Sequence, residues 1–365
     1  MASRLKKKEK KRRSPLVSLL RGLYGFVVVL AVLVVVGWCA VKLISKPPDL
    51  TAADPAPAAE TAAAPGASAD PAAANGLTRR EGVYNILLAA EDQVSGSADT
   101  IMMCSYDTKN QTVGLVSVPR DTLVDRPGWG YHKINAAFSN GNFYYPPDGG
   151  LQELKTAVSE VLGVPIDRYV LVNTKIFPDI VNALDGIDFN VPVHMSYDAP
   201  DQNLHIHYEP GMQHLTGQQA LEVARCRENS DGKGSYPHNI YDAYPDADIG
   251  RTRTQQEMLQ VIVKKALSNP QKIGEYADLM VENVKTDLTA ANFLWFGEQA
   301  LQFDFDDLET ATLPGDGTVD FGDYTDCYAL DVAESLDIIN RLIDPYTTPI
   351  TEDMVQMSQG PGTGK

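Results

Sequence analysis

The stretch RCRENSDGKGSYPHNIYDAYPDADIGRTR, residues 225–253, holds four arginines: Arg225, Arg227, Arg251 and Arg253. Guanidinium groups carry a fixed charge and a planar fork of N–H donors, a match for the paired oxygens of a phosphate. DADIGRTRTQQ reads as the start of a helix, with Asp248 able to cap it and Arg251 on its first turn. Gln255 follows four residues later, on the same face as Arg251. A helix N-terminus bearing an arginine is a ready phosphate site. Arg225 and Arg227 are two residues apart and share one face if that segment is extended.

Three other segments end apolar runs in polar residues, where sheet-based sites form. In AEDQVSGSADT, Asp92 and Asp99 flank a Ser/Gly loop between two predicted strands. Two carboxylates so placed can share a hard cation such as Mg²⁺, and a solvated hairpin loop is the plainer reading. In LVSVPRDT, Pro119 cannot donate to a ladder, so pairing should stop there and release Arg120 and Asp121 at the strand end. That pair grips phosphate or forms an ordinary Arg–Asp contact. In GWGYHKINAAF, Lys133 and Asn135 sit among aromatic and glycine residues, where a cation can approach a ligand.

The elements that must position these residues alternate. VYNILLAA, TIMMCSYD, TVGLVSVP and RYVLVN read as strands. LQELKTAVSEVLG has apolar residues at helical spacing and a glycine, Gly163, placed to end the helix; KIFPDIVNALDG closes likewise at Gly186. GQQALEVAR, TRTQQEMLQVIVKKAL, TAANFLWFGEQAL and DVAESLDIINRLI are further helices. Such alternation predicts a three-layer α/β or α+β domain with a central sheet between helices. No internal repeat and no glycine-rich phosphate loop is present.

The first 46 residues hold 11 Lys/Arg and one acid, leaving 20 basic against 47 acidic residues, a formal charge of −27. Such a surface repels nucleic acid, so no nucleic-acid partner is expected. Ten of those 20 basic residues are arginines, and four of the ten lie in the opening stretch. Against that acidic background, their clustering points to a local anion site. Residues 22–41 are uncharged and at about 1.5 Å per residue span about 30 Å, a bilayer core. The basic residues before them predict a cytoplasmic N-terminus.

The expected organisation is therefore a cytoplasmic segment 1–21, an uncleaved transmembrane helix 22–44, an Ala/Pro-rich disordered linker 45–79, an extracellular catalytic domain 80–348 and a disordered tail 349–365. Cys104, Cys226 and Cys327 lie outside the membrane, without the spacing of a zinc site, and read as buried free thiols or at most one pair.

NILLAAED, SADTIMM, SVPRDT, KINAAF, ARCR and DIGRTRTQQ occur in the order and rough spacing of the LytR–CpsA–Psr family, which residues 83–267 resemble. The resemblance implies a membrane-anchored enzyme that moves a glycopolymer from a polyprenyl-pyrophosphate carrier to peptidoglycan. It implies a central mixed sheet enclosing a hydrophobic channel for the polyprenyl tail. It also implies Mg²⁺, with Mn²⁺ as a substitute, held by Asp92 and Asp99. Arg120, Lys133, Arg225, Arg227, Arg251 and Gln255 would bind the pyrophosphate, Asp121 orienting Arg120 and Asp248 supporting the helix of Arg251.

The sequence departs from the family pattern at Gln93, Val94 and Ser97, where arginines are common. It departs again at Thr254, where DxGRxxRQ has its second arginine and this chain has Arg253 one place earlier. A pyrophosphate hydrolase and a non-catalytic glycopolymer-binding regulator are the alternative functions. A zinc site at His205 and His207 lacks an evident third ligand. The aromatic segment 287–345 packs the core, closes the channel or receives peptidoglycan.

Overall fold

The computed structural model describes residues 45–50, 76–92, 96–126, 129–200, 204–230 and 248–358, and not the side chains of Asp92 and Asp248. The expected transmembrane helix falls outside these residues. Among those described, no helix is long and apolar enough to cross a membrane. The chain divides into units 1–47 and 48–365, and all elements named here lie in the second.

The strands are β1 (Val83–Asp92), β2 (Ser97–Asp107), β3 (Thr112–Ser117), β4 (Arg168–Asn173), β5 (Ile187–Val191), β6 (Met195–Ala199), β7 (Leu204–Tyr208), β8 (Gly211–Leu215), β9 (Lys285–Thr286), β10 (Glu309–Thr312), β11 (Gly315–Phe321) and β12 (Tyr324–Leu330). The helices are α1 (Ala136–Tyr144), α2 (Gly149–Leu162), α3 (Phe177–Ala183), α4 (Gly217–Arg225), α5 (Asp248–Leu267), α6 (Ile273–Asn283), α7 (Ala290–Ala300) and α8 (Val332–Leu342).

Six strands form a mixed sheet in the order β10-β3-β2-β1-β4-β9. β1 runs parallel to β4 and β10 to β3, while the other neighbours are antiparallel. The central stretches of β1 (Ile86 to Ala90) and β2 (Ile101 to Cys104) are continuously apolar, as strands covered on both faces must be. Side chains alternate between the faces. Leu87, Ala89, Ile101 and Met103 join the main core with Leu154 and Val158 of α2. Ile86, Leu88 and Cys104 turn the other way, towards α6 and α7. The α2 helix ends at Gly163, whose φ of 67° lies in the left-handed region that glycine tolerates. A second core joins the antiparallel β5–β8 pair and the β6–β7 hairpin to α4 and to Met258 of α5.

The four leading strands and the helices named from the sequence are present, and Pro119 does stand just beyond the last ladder residue of β3. The segment after Lys133 is a helix, α1, to which the sequence reading assigned no secondary structure. Residues 350–356, expected to belong to a disordered tail, pack against the domain. Ile350 is buried in the main core, and the Gln356 amide donates to Glu160 O at 2.8 Å. The apolar residues Ile350, Met354 and Val355 supply the burial that orders this segment.

Candidate functional site

Between the sheet face that carries Leu88 and Cys104 and helices α5, α6 and α7 lies a cavity of about 720 Å³. Leu88, Met102 and Cys104 of the sheet, Met258 and Val263 of α5, Met280 of α6 and Phe293 and Phe296 of α7 give it an apolar wall. Asp99, Arg120, Arg225, Arg227, Arg251 and Gln255 also line it. The cavity thus joins scattered polar sequence segments to one greasy interior. Phe293, Phe296, Phe303 and Phe305 place the aromatic segment on the cavity wall.

Backbone irregularity sets the polar end. The β1–β2 register passes from Ala90↔Thr100 to Glu91↔Ala98, which makes Asp99 the extra residue of a bulge. A bulge re-aims a side chain and takes a residue out of the ladder. The Asp99 carbonyl accepts from Arg251 Nη2 at 3.3 Å, and its carboxylate accepts from Arg120 Nη1 at 3.3 Å. Arg251 is only 6% exposed.

The start of α5 is fixed by its own polar side chains. Thr100 donates its hydroxyl to Gln255 Oε1 at 3.1 Å, and Gln255 Nε2 donates to the Ala224 carbonyl in the last turn of α4 at 3.0 Å. Gln256 Nε2 donates to Ser117 Oγ and to Ala311 O, each at 2.8 Å. Arg225 closes α4, and Cys226 after it is extended, so Arg227 follows on a turned chain. The α5 helix begins at Asp248, so the capping and supporting roles expected of that residue fall on a side chain outside the described residues.

Arg120 leaves the end of β3 as expected and meets Asp121, with Nε to Oδ2 at 3.4 Å. Lys133 pairs with Asp121 at 3.2 Å and donates to the Asp326 carbonyl at 3.0 Å. Neither Asp121 nor Lys133 lines the cavity, so both stand behind Arg120. The loop between them is pinned by Arg126, which pairs with Glu153 and Glu160 of α2, while the Tyr131 hydroxyl donates to Glu153. Burial raises the Glu153 carboxyl above its usual range against the pull of Tyr131 and Arg126.

The carboxylate of Asp99 offers the hard oxygen donors that Mg²⁺ takes together with substrate phosphates, so the donor chemistry present fits that ion. The Asp92 half of the expected pair lies outside the described side chains. Among the described residues, no group of three His, Cys, Asp or Glu is placed to hold a metal. His205 and His207, the zinc candidates, both meet Asp198 Oδ1, at 2.7 and 3.2 Å.

Cys104, Cys226 and Cys327 are free, in line with the thiol reading. Cys104 borders the cavity, and burial pushes its thiol up to about 12. Glu91 and Thr100 also line the cavity and were not singled out from the sequence. Their signal was adjacency to Asp92 and Asp99, hidden by the bulge.

The pattern of the LytR–CpsA–Psr (LytR_cpsA_psr) family matches residues 56–342. The chain belongs to that family. It is 30% identical over 226 residues to the polyisoprenyl-teichoic acid–peptidoglycan teichoic acid transferase TagV of Bacillus subtilis, covering 60% of this chain and 52% of TagV. The match thus spans about half the length of that relative. It is also 30% identical over 272 residues to the transferase of the same type named TagU from Bacillus mycoides, covering 73% of this chain and 79% of TagU. The crystal structure of B. subtilis TagV superposes with a TM-score of 0.58 at 26% identity, covering 72% of this chain and 96% of the crystallised TagV chain. The central mixed sheet flanked by helices is therefore this family's fold.

Proposed function

We propose that this LytR–CpsA–Psr protein transfers a glycopolymer from a polyprenyl-pyrophosphate carrier to peptidoglycan. In this reading residues 22–44 anchor it in the cell membrane with the catalytic domain outside. The observation that carries the reading is that one cavity joins a cluster of arginines to an apolar wall. A lipid pyrophosphate has the same division into a charged head and an apolar tail. The names of the relatives TagV and TagU, which act on polyisoprenyl-linked teichoic acid, support it.

The apolar walls take the polyprenyl tail, and Arg120, Arg225, Arg227 and Arg251 bind the pyrophosphate oxygens. Lys133 acts through Asp121, which holds Arg120. Gln255 keeps α5 against Thr100 and α4. Asp99, with Asp92, would hold Mg²⁺ or Mn²⁺, which supplies neutralisation of phosphate charge. A peptidoglycan hydroxyl attacks the sugar-linked phosphorus. The new O–P bond forms as the bridging P–O bond breaks, and polyprenyl phosphate leaves. The hydroxyl proton passes to a carboxylate lining the cavity that is not committed to the ion, and Glu91 is one. Phosphoryl transfer of this kind depends on positioning and on stabilising developing charge, both of which fixed guanidinium groups supply.

The test uses the full chain in nanodiscs with a polyprenyl-pyrophosphate-linked saccharide, Mg²⁺ and peptidoglycan, reading release of polyprenyl phosphate. Arg251→Ala should lower kcat/KM at least about 100-fold. Equal, background release by both proteins removes the enzymatic reading and favours the binding regulator. Release that does not depend on peptidoglycan identifies a hydrolase.

A further inference from the structure

The cavity carries its own length scale. Two elements run along it from one starting level, because the Thr100 hydroxyl of β2 meets Gln255 of α5 at 3.1 Å. Along α5 the lining continues from Gln255 to Leu267. Those 12 residue steps at 1.5 Å amount to about 18 Å. Along β2 it continues from Thr100 to Tyr106, six steps of about 3.3 Å, or about 20 Å.

An aromatic row links the far parts of both elements. The Tyr106 ring lies 6.5 Å from Phe303, Phe303 lies 5.2 Å from Phe305, and Lys264 Nζ on α5 sits 5.7 Å from the Phe305 ring. The surface is one side chain away at that end, since Lys264 pairs with Asp306, whose side chain is 90% exposed. An extended isoprene unit contributes four carbon–carbon bonds of about 1.5 Å each, hence about 5 Å of length.

We infer that the cavity encloses about four isoprene units of the carrier, counted from the pyrophosphate, and leaves the rest of a longer tail outside. This rests on the reading of the cavity as a polyprenyl-pyrophosphate site and adds a chain-length specificity to it. Recognition is then complete at the fourth unit. A carrier with many more units gains nothing from the protein beyond that point, and one with two units forfeits half of the apolar contact. Ala266, one residue before the end of the α5 lining, stands where a larger side chain would shorten the cavity by about one unit.

The test compares wild type with Ala266→Trp as full-length protein in one detergent. It titrates geranyl, farnesyl and geranylgeranyl pyrophosphates and then homologues of five to seven units, with Mg²⁺ present. The quantity read is the ratio of the two Kd values at each length, in which partition of the ligand into detergent cancels. The ratio should be near one for geranyl, reach about tenfold at four units, and stay there for longer chains. A ratio already at its full value for geranyl, or one still climbing at seven units, overturns the four-unit capacity while leaving the lipid site intact. If wild type binds none of the six, the lipid reading itself falls, and the length scale with it.

Discussion

The two faces of the central sheet are made from the same strands and similar residues, yet they end in opposite states. Leu87 is 0% exposed and packed against α2, whereas its neighbour Leu88 is half-buried and borders the cavity. Met103 and Cys104 repeat the contrast on β2. On the first face Leu154, Val158 and Val161 fill the space between helix and strands. On the second, the helices stand off and leave about 720 Å³. Apolar surface lining a cavity lacks the protein dispersion contacts a packed core would supply. A fold tolerates that where a ligand completes the packing, so the second face is the one with room to receive a ligand.

Paired substitutions sharpen the contrast. Leu87→Ala should cost about 2–5 kcal/mol in chemical unfolding, as a new void opens in a packed core. A loss no larger than that of Leu88→Ala breaks the distinction between the faces. Saturation with a polyprenyl pyrophosphate at about 100 times Kd should then stabilise wild type by about 2.7 kcal/mol. Thermal or chemical unfolding with and without the lipid measures it. Leu88→Ala should cost only about 1 kcal/mol, because its half-buried side chain is less completely packed than that of Leu87.

The smallest effect concerns chemistry and not stability. Burial pushes the Cys104 and Cys226 thiols up to about 12 and raises that of Cys327. A raised thiol pKa keeps the neutral form dominant throughout the ordinary pH range, and only the thiolate is nucleophilic. At pH 8 the folded domain should therefore resist iodoacetamide at all three positions, and denaturant should expose them. Rapid labelling of Cys104 in the folded state would mean that bulk water fills the cavity.

Much of this arrangement was legible in the residues. Continuous apolar runs in β1 and β2 announced a sheet covered on both faces, and Gly163 and Gly186 marked helix ends. Arg120 beyond Pro119, and Arg251 with Gln255 one turn apart, were readable because proline and helical periodicity fix directions locally. The void itself was not readable, since periodicity tells which way Leu88 points but not how far away α5 lies. The Asp99 bulge escaped for a related reason, because a register shift depends on both strands at once. Lys133 was expected among the pyrophosphate ligands, and only the folded loop shows that Asp121 stands between it and Arg120.

The central claim is that the cavity behind the arginines receives the carrier's tail. Its most direct measurement is the Kd of geranylgeranyl pyrophosphate for wild type and for Leu88→Trp, a variant that fills the cavity and touches none of the arginines. The account predicts at least about tenfold weaker binding by the variant, with inorganic pyrophosphate bound equally by both proteins and the unfolding midpoint unchanged or raised. Equal affinity of the two proteins for the lipid would contradict it.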